Sequence, residues 1–188
     1  MKNPQKEMAD RFLELLRPIE RELEAYCRRM IWEPQDVADA VQSAVLRAFQ
    51  AFDRYHDGTN FRAWMFKILT NEIFTLNRKR GHIRKFEVFL EPEEMDAVVA
   101  LEWDIEYTQW LLSPHAWADT LDENLVIALK TLTESERAVL VLRAIGELQY
   151  REISETLNIP LGSVMGHLSR ARQKMRNAIM RSQKGATL

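Results

Sequence analysis

The sequence predicts an all-α protein in which two small helical domains are joined by an acidic, Trp-containing connector. Apolar residues recur every three or four positions through most of the chain, which is the period of amphipathic helices. No run alternates β-branched and polar residues as a strand would. With 188 residues, of which 46% are hydrophobic and 29% charged, the chain can bury one ordinary core or two small ones.

The N-terminal domain, residues 1–85, is predicted to be a helical bundle. Pro18 interrupts a first apolar stripe and marks a kink or a junction between two helices. A further helix is expected to start with Asp36 as its N-cap. The apolar face of that helix is predicted to consist of Val37, Val41, Val45, Ala48, Phe49 and Phe52. The next helix follows the turn YHDGTN and ends in NRKRG, where Gly81 suits a left-handed C-cap.

The C-terminal domain, residues 120–188, is predicted to contain four helices. Thr133 and Glu136 form a Thr-x-x-Glu capping box at the start of one helix, and Gly146 ends it. The short helix YREISETL, the turn NIPL and a longer basic helix starting near Gly162 follow. This order is typical of a helix-turn-helix unit, whose last helix enters the major groove of DNA. A plain helical hairpin is the alternative.

Charge is strongly segregated, although the formal net charge is only −2. Residues 71–85 carry a net charge of +4, and residues 160–184 hold six Lys and Arg with no acidic residue. Residues 86–119, the connector, contain nine acidic residues and neither Lys nor Arg. Cationic patches on separate segments indicate a polyanion as the partner. For either patch alone, a solvated helix face is the alternative.

Several other classes of protein are disfavoured. No apolar run is long enough to span a bilayer and the N-terminus lacks the apolar region of a signal peptide, so we expect a cytoplasmic protein without membrane insertion. Cys27 is the single cysteine and is expected to be a packed thiol. The four histidines lie far apart, so neither a metal nor another cofactor is expected. No Gly-rich phosphate loop or nucleophile elbow suggests an enzyme.

Three stretches together resemble a known family. DVADAVQSAVLRAFQAFDRY, FRAWMFKILTNEIFTLNRKR and LTESERAVLVLRAIGELQYREISETLNIPLGSVMGHLSRARQKM are similar, in order and spacing, to regions two and four of bacterial extracytoplasmic-function (ECF, group 4) sigma factors of the sigma-70 family. The resemblance implies a dissociable RNA polymerase subunit that recognises and opens promoters. Its implied partners are core RNA polymerase, promoter DNA and an anti-sigma factor. The alternative is a two-domain helix-turn-helix regulator that does not join polymerase.

The resemblance also assigns roles to individual residues. Core polymerase would be contacted by Asp36, Asp39, Gln42, Leu46 and Phe49. A place in the core is the alternative for Leu46 and Phe49, and for Phe49 it is the favoured one. Ser43 stands where the family commonly has an acidic residue. The minus-ten element would be recognised and melted by Asn71, Glu72, Thr75, Arg78, Lys79 and Arg80. The alternative for Asn71 is a buried amide, and Phe61 and Trp64 are expected in the core.

The resemblance places minus-thirty-five recognition in the helix-turn-helix unit. The candidate residues are Arg143, Tyr150, Ser163, Met165, Gly166, His167, Ser169, Arg170, Arg172 and Lys174. Arg170 is the strongest candidate for a base contact, because a forked guanidinium can bridge O6 and N7 of guanine. Gly166 departs from the family pattern and costs about 1 kcal/mol relative to Ala inside a helix.

The connector carries Trp103, Trp110 and Trp117 at intervals of seven residues. Family connectors pass through polymerase channels toward the RNA path, where an acidic segment can mimic nucleic acid. Alternatively, these Trp residues pack on one or both domains and hold the free protein closed. A partly helical segment with ordinary packing contacts is a third possibility.

Overall fold

The computed structural model describes residues 4–80 and 123–185, and every regular element within these ranges is helical. The first range contains α1 (Pro4–Leu16), a 3-10 turn (Arg17–Ile19), α2 (Glu20–Met30), α3 (Asp36–Gln50), a second 3-10 turn (Phe52–Arg54) and α4 (Phe61–Lys79). The second range contains α5 (Glu123–Lys130), α6 (Glu134–Ala144), α7 (Tyr150–Leu157) and α8 (Leu161–Gly185). The expectations for Gly81, for the connector Trp residues and for the domain limits at 85 and 120 lie outside the described residues.

The start of α3 differs from the sequence prediction. Asp36 is the first residue of the helix rather than its N-cap, and the preceding Gln35 makes no side-chain capping bond. Asp36, whose side chain is only 12% exposed, instead forms an ion pair with Arg80 at the end of α4 through its carboxylate. A buried carboxylate is stabilised more by a cation than by a backbone N–H alone, so the tertiary contact prevails. The predicted junction at Pro18 is confirmed, since it lies in the 3-10 turn between α1 and α2.

The buried stripe of α3 is also shifted from the predicted one. Val37, Ala40, Ala44 and Ala48 are buried, and α3 packs directly on α4. Three residues of the predicted face are only partly buried, namely Val41, Val45 and Phe49. The small alanine side chains allow α3 to pack closely on α4. The larger Val41, Val45 and Phe49 are left beside a groove.

The core of the first domain confirms three expectations. Phe61 is buried, and Trp64 packs with Phe52 and Tyr55 in an aromatic cluster. Cys27 is fully buried, and burial raises the pKa of its thiol to about 12. The thiol therefore stays protonated and packs as a small apolar group.

The helix-turn-helix unit forms as predicted. Thr133 and Glu136 make both bonds of the capping box, and the inward face of α8 is buried. At the end of α6 the left-handed residue is Glu147 (φ 54°), next to Gly146. A Cβ at Gly146 would lie 2.6 Å from the carbonyl oxygen of Leu142, so only glycine fits that position.

The two domains pack against each other, with α2 on α6 and α4 on α7. The side-chain amide of Asn77, 3% exposed, donates to Glu134 Oε1 at 2.9 Å. The guanidinium of Arg137 lies 4.0 Å from the ring centre of Trp32. These contacts join the two helical units in this state, and local sequence patterns did not predict them.

Candidate polymerase and promoter interfaces

One face of α3 is open and chemically mixed. Asp39, Gln42 and Leu46 follow one another at spacings of three and four, and all three are exposed. Leu46 is 57% exposed, which is unusual for a large aliphatic side chain. Two other residues assigned to this face have partners within the domain. Asp36 pairs with Arg80, and the partly buried Phe49 packs edge-on against Phe12 with a centroid distance of 5.4 Å while also lining the neighbouring groove.

An apolar groove of about 1160 Å³ borders this face. It is built by α1, α2, α3 and α5, with Leu13, Val41 and Val45 from the first domain and Val126 and Leu129 from the second. Gln42 and Leu46 lie on its edge. An exposed apolar patch of this kind, rimmed by polar groups, is typical of a protein-binding surface.

The outer face of α4 presents polar and cationic groups to solvent. Asn71, Thr75, Arg78 and Lys79 are exposed, and the Thr75 hydroxyl donates to the Asn71 carbonyl oxygen at 2.8 Å. Because the Asn71 side chain faces solvent, the buried-amide alternative does not apply to it, and the buried amide of this helix is Asn77.

The two other candidate residues at this end of the domain are held by α3. Glu72 forms an ion pair of 2.9 Å with Arg47, and Arg80 pairs with Asp36. These pairs fix α4 relative to the helix that carries the exposed α3 face. The sequence prediction did not include Arg47, since nothing local distinguishes it from a solvated cation.

The candidate cations of the helix-turn-helix unit fall into two groups. The first surrounds Tyr150, the first residue of α7. Arg143 donates to the carbonyl oxygen of Leu148 at 3.2 Å, and its guanidinium lies 5.8 Å from the Tyr150 ring centre. Arg172 of α8 also meets Tyr150, and burial lowers the pKa of this guanidinium although Tyr150 opposes the effect. Arg143 at the end of α6 and Arg172 on α8 therefore both lie beside the first residue of α7.

The second group surrounds Glu136 on α6. Lys174 Nζ lies 2.8 and 2.9 Å from its two carboxylate oxygens, and Arg170 Nε lies 3.5 Å from Oε1. Although burial acts to raise the pKa of Glu136, hydrogen bonds from Lys174 and Thr133 hold it below its usual value. Arg170 Nη2 also lies 3.1 Å from His167 Nδ1.

The remaining candidate residues lie in the first turns of α8. Met165 is 41% exposed, Ser163 and Ser169 are half-buried, and Gly166 is buried. The structure therefore gives the start of α8 small and apolar side chains, followed by the cations one to three turns further along. Among these cations, Arg170 has a side chain long enough to reach base edges in the major groove.

His167 predicts a pH dependence of stability. Burial lowers its pKa below 6.5, with Arg170 and Lys174 adding to the effect and Glu136 opposing it. Between that lowered pKa and 6.5 the unfolded chain binds more protons than the folded one, so stability falls as the pH drops through this window. Denaturant unfolding at pH 7.5 and 5.5 should show a smaller loss for His167→Gln than for wild type. An equal loss in both proteins would contradict the assignment.

Comparison with known proteins agrees with this geometry. The models "Sigma-70 region 2" and "Sigma-70, region 4" match residues 15–83 and 123–175, which together make up more than half of the chain. The ECF RNA polymerase sigma factor SigE of Mycolicibacterium smegmatis is 33% identical over 150 residues, which cover 79% of this chain and 54% of that protein. SigW of Bacillus subtilis is 28% identical over 180 residues, or 90% of this chain and 89% of the relative. The chain belongs to the ECF sigma factors of the sigma-70 family.

Two solved structures share the fold. The sigma factor RpoE from Bartonella quintana, in complex with the anti-sigma factor NepR, matches with a TM-score of 0.65 and 20% identity, covering 93% of this chain and 98% of that one. CnrH in complex with the cytosolic domain of CnrY matches with a TM-score of 0.59 and 23% identity, covering 90% of this chain and 88% of that one.

The chain spans about half the length of the SigE relative and most of SigW. Within residues 4–80 and 123–185, no helix combines the length and apolar character needed to cross a membrane.

Proposed function

We propose that this chain is a group 4 ECF sigma factor, which binds core RNA polymerase, directs it to specific promoters and helps to separate the DNA strands. The observation that carries the proposal is the exposed α3 face of Asp39, Gln42 and Leu46, on which Gln42 and Leu46 border the apolar groove. It occurs in a chain that also has a helix-turn-helix unit with basic residues on its last helix. Polymerase supplies the catalysis, so the chain itself is not an enzyme, and it acts in the cytoplasm.

The domain arrangement implies a large movement during promoter binding. Elements named minus-ten and minus-thirty-five are centred about 25 base pairs apart, which is roughly 85 Å of B-DNA at 3.4 Å per base pair. In the structure, α4 of the first domain packs against α7 of the second. While the two domains are in contact, they cannot bind the minus-ten and the minus-thirty-five element at the same time. The proposed function therefore requires the domains to separate on polymerase. An anti-sigma factor that binds the closed form is a proposed partner.

Separation of the domains also gives the connector a role in the proposal. The two segments that are predicted to contact promoter DNA, residues 71–85 and 160–184, carry net positive charge. Residues 86–119 carry nine acidic residues and no Lys or Arg. We propose that this segment links the domains across polymerase, where cationic surfaces that normally hold nucleic acid attract it.

Asn71→Ala is expected to reduce formation of the open promoter complex. The exposed amide lies on the outer face of α4, about two turns from Arg78 and Lys79, where a base held out of the stack and its backbone can both be contacted. Loss of such a contact costs on the order of 10-fold in rate. Open-complex formation should be compared on duplex promoters and on templates with a pre-melted bubble.

The two templates distinguish two roles for Asn71. A defect on duplex DNA alone indicates a role in strand separation, and a defect on both indicates recognition of the opened base. Wild-type activity on both templates would remove Asn71 from the site. Lys67→Ala is a suitable control, since Lys67 is exposed on the same helix one turn earlier.

Binding to purified core polymerase tests the first step of the proposal. The full chain should comigrate with core polymerase in size-exclusion chromatography in the absence of DNA. A chain that leaves core polymerase unbound and binds duplex DNA alone would instead be a two-domain regulator.

A further inference from the structure

Glu136 lies where the first turn of α6 meets one side of α8. His167, Arg170 and Lys174 follow one another at intervals of three and four along α8, so they share a face of that helix. Glu136 is 3% exposed, and its carboxylate contacts Arg170 and Lys174 while also completing the capping box with Thr133. A single buried acid therefore joins the start of α6 to two cations of the proposed DNA-reading helix.

We propose that Glu136 is a positioning residue that sets minus-thirty-five specificity through Arg170 and Lys174. This inference rests on the proposed function and deepens it. The capping box accounts for only one of the acid's contacts, namely the backbone N–H of Thr133 accepted at 2.9 Å by Oε2. The contacts with Lys174 and Arg170 span 38 and 34 positions of sequence and are not needed to start a helix.

The first effect of Glu136 is on geometry. Arginine reads a guanine edge only when its guanidinium is presented in the correct plane, and a side chain fixed before binding loses less freedom on contact. In the structure, Arg170 lies between the Glu136 carboxylate and the His167 ring, at 3.5 Å and 3.1 Å. Both contacts limit the directions that the guanidinium can take.

The second effect of Glu136 is on charge. The carboxylate offsets part of the positive charge that α8 presents, and Lys174 is held against it rather than directed at a phosphate. Non-specific DNA binding depends on the number of phosphates that cations neutralise. Glu136 thus lowers affinity for arbitrary sequences while it improves discrimination among bases.

Glu136→Gln separates these effects from the capping role, because the amide oxygen can still accept the Thr133 N–H. In holoenzyme formed with core polymerase, we expect about a 10-fold loss of selectivity at one minus-thirty-five base pair. Non-specific affinity should rise several-fold, and the slope of log affinity against log salt concentration should steepen by about one. A purely structural defect would lower specific and non-specific affinity together.

Two control variants make the test decisive. Glu155→Gln removes the same charge from an exposed site on α7, and it should leave selectivity unchanged. Thr133→Ala removes the other half of the capping box and leaves the carboxylate in place, so it should lower the melting temperature without the change in selectivity. Equal selectivity loss in Thr133→Ala, or unchanged selectivity in Glu136→Gln, would overturn the proposal. A wild-type holoenzyme without any promoter preference would contradict the proposed function itself.

Discussion

Leu46→Glu is expected to lower the affinity for core RNA polymerase by a factor of about 30. Leu46 is a large apolar side chain, 57% exposed, at the edge of the groove and on the same face as Asp39 and Gln42. Burying a Leu side chain in an interface contributes about 2 kcal/mol, and a charge buried in its place adds to the loss. The dissociation constant can be measured by fluorescence anisotropy with labelled sigma factor.

Ile127→Glu provides a matched control for this experiment. Ile127 is 58% exposed on α5 and is not among the residues that line the groove. The two substitutions are therefore close in size, exposure and charge. A similar loss of affinity in both variants, with unchanged circular dichroism, would show that α3 is not the specific contact.

Trp32→Ala is expected to separate the two domains in the free protein. Arg137 is 2% exposed, and its Nε and Nη1 have no hydrogen-bond partner among the described residues, so the Trp32 ring 4.0 Å away is an important part of its environment. Burial accordingly lowers the pKa of Arg137 to about 10. A desolvated cation–π contact contributes about 2 kcal/mol or more, and the uncovered cation gains further by returning to water.

Small-angle scattering measures this change directly as an increase in the radius of gyration. The double variant Trp32→Ala/Arg137→Met should return toward the closed value, because it removes the buried charge that drives opening. An unchanged radius of gyration in Trp32→Ala would mean that other contacts, such as Asn77 with Glu134, suffice to hold the domains together.

Most of the helices were predictable because their signals are local. The capping box at Thr133 and the inward residues of α8 depend only on neighbours within one or two turns. The start of α3 was predicted less well, since the Asp36 carboxylate accepts a hydrogen bond from Arg80, 44 positions away, and does not serve as an N-cap. The buried stripe of α3 was misplaced for a related reason, because the pattern of apolar residues does not say which of two adjacent faces meets α4.

The residues of the candidate sites also divide into those that local sequence predicts and those that depend on contacts between distant elements. Exposed positions such as Asn71 and Leu46 follow from helical spacing together with the family resemblance. Contacts that join distant elements do not, and Asn77 gave no signal that it would be the buried amide between α4, α2 and α6. Glu136 was recognised as a capping residue, but its second role depends on Lys174, which the fold brings back to it.

Transcription with purified components tests the central claim most directly. Core polymerase should be combined with the full chain on a library of bacterial genomic DNA fragments, and the RNA 5′ ends should be mapped. We expect start sites that are absent with core polymerase alone and that share two sequence elements upstream, at the spacing of the minus-ten and minus-thirty-five positions. Start sites identical to those of core polymerase alone, from a chain that nevertheless binds duplex DNA, would contradict the assignment as a sigma factor.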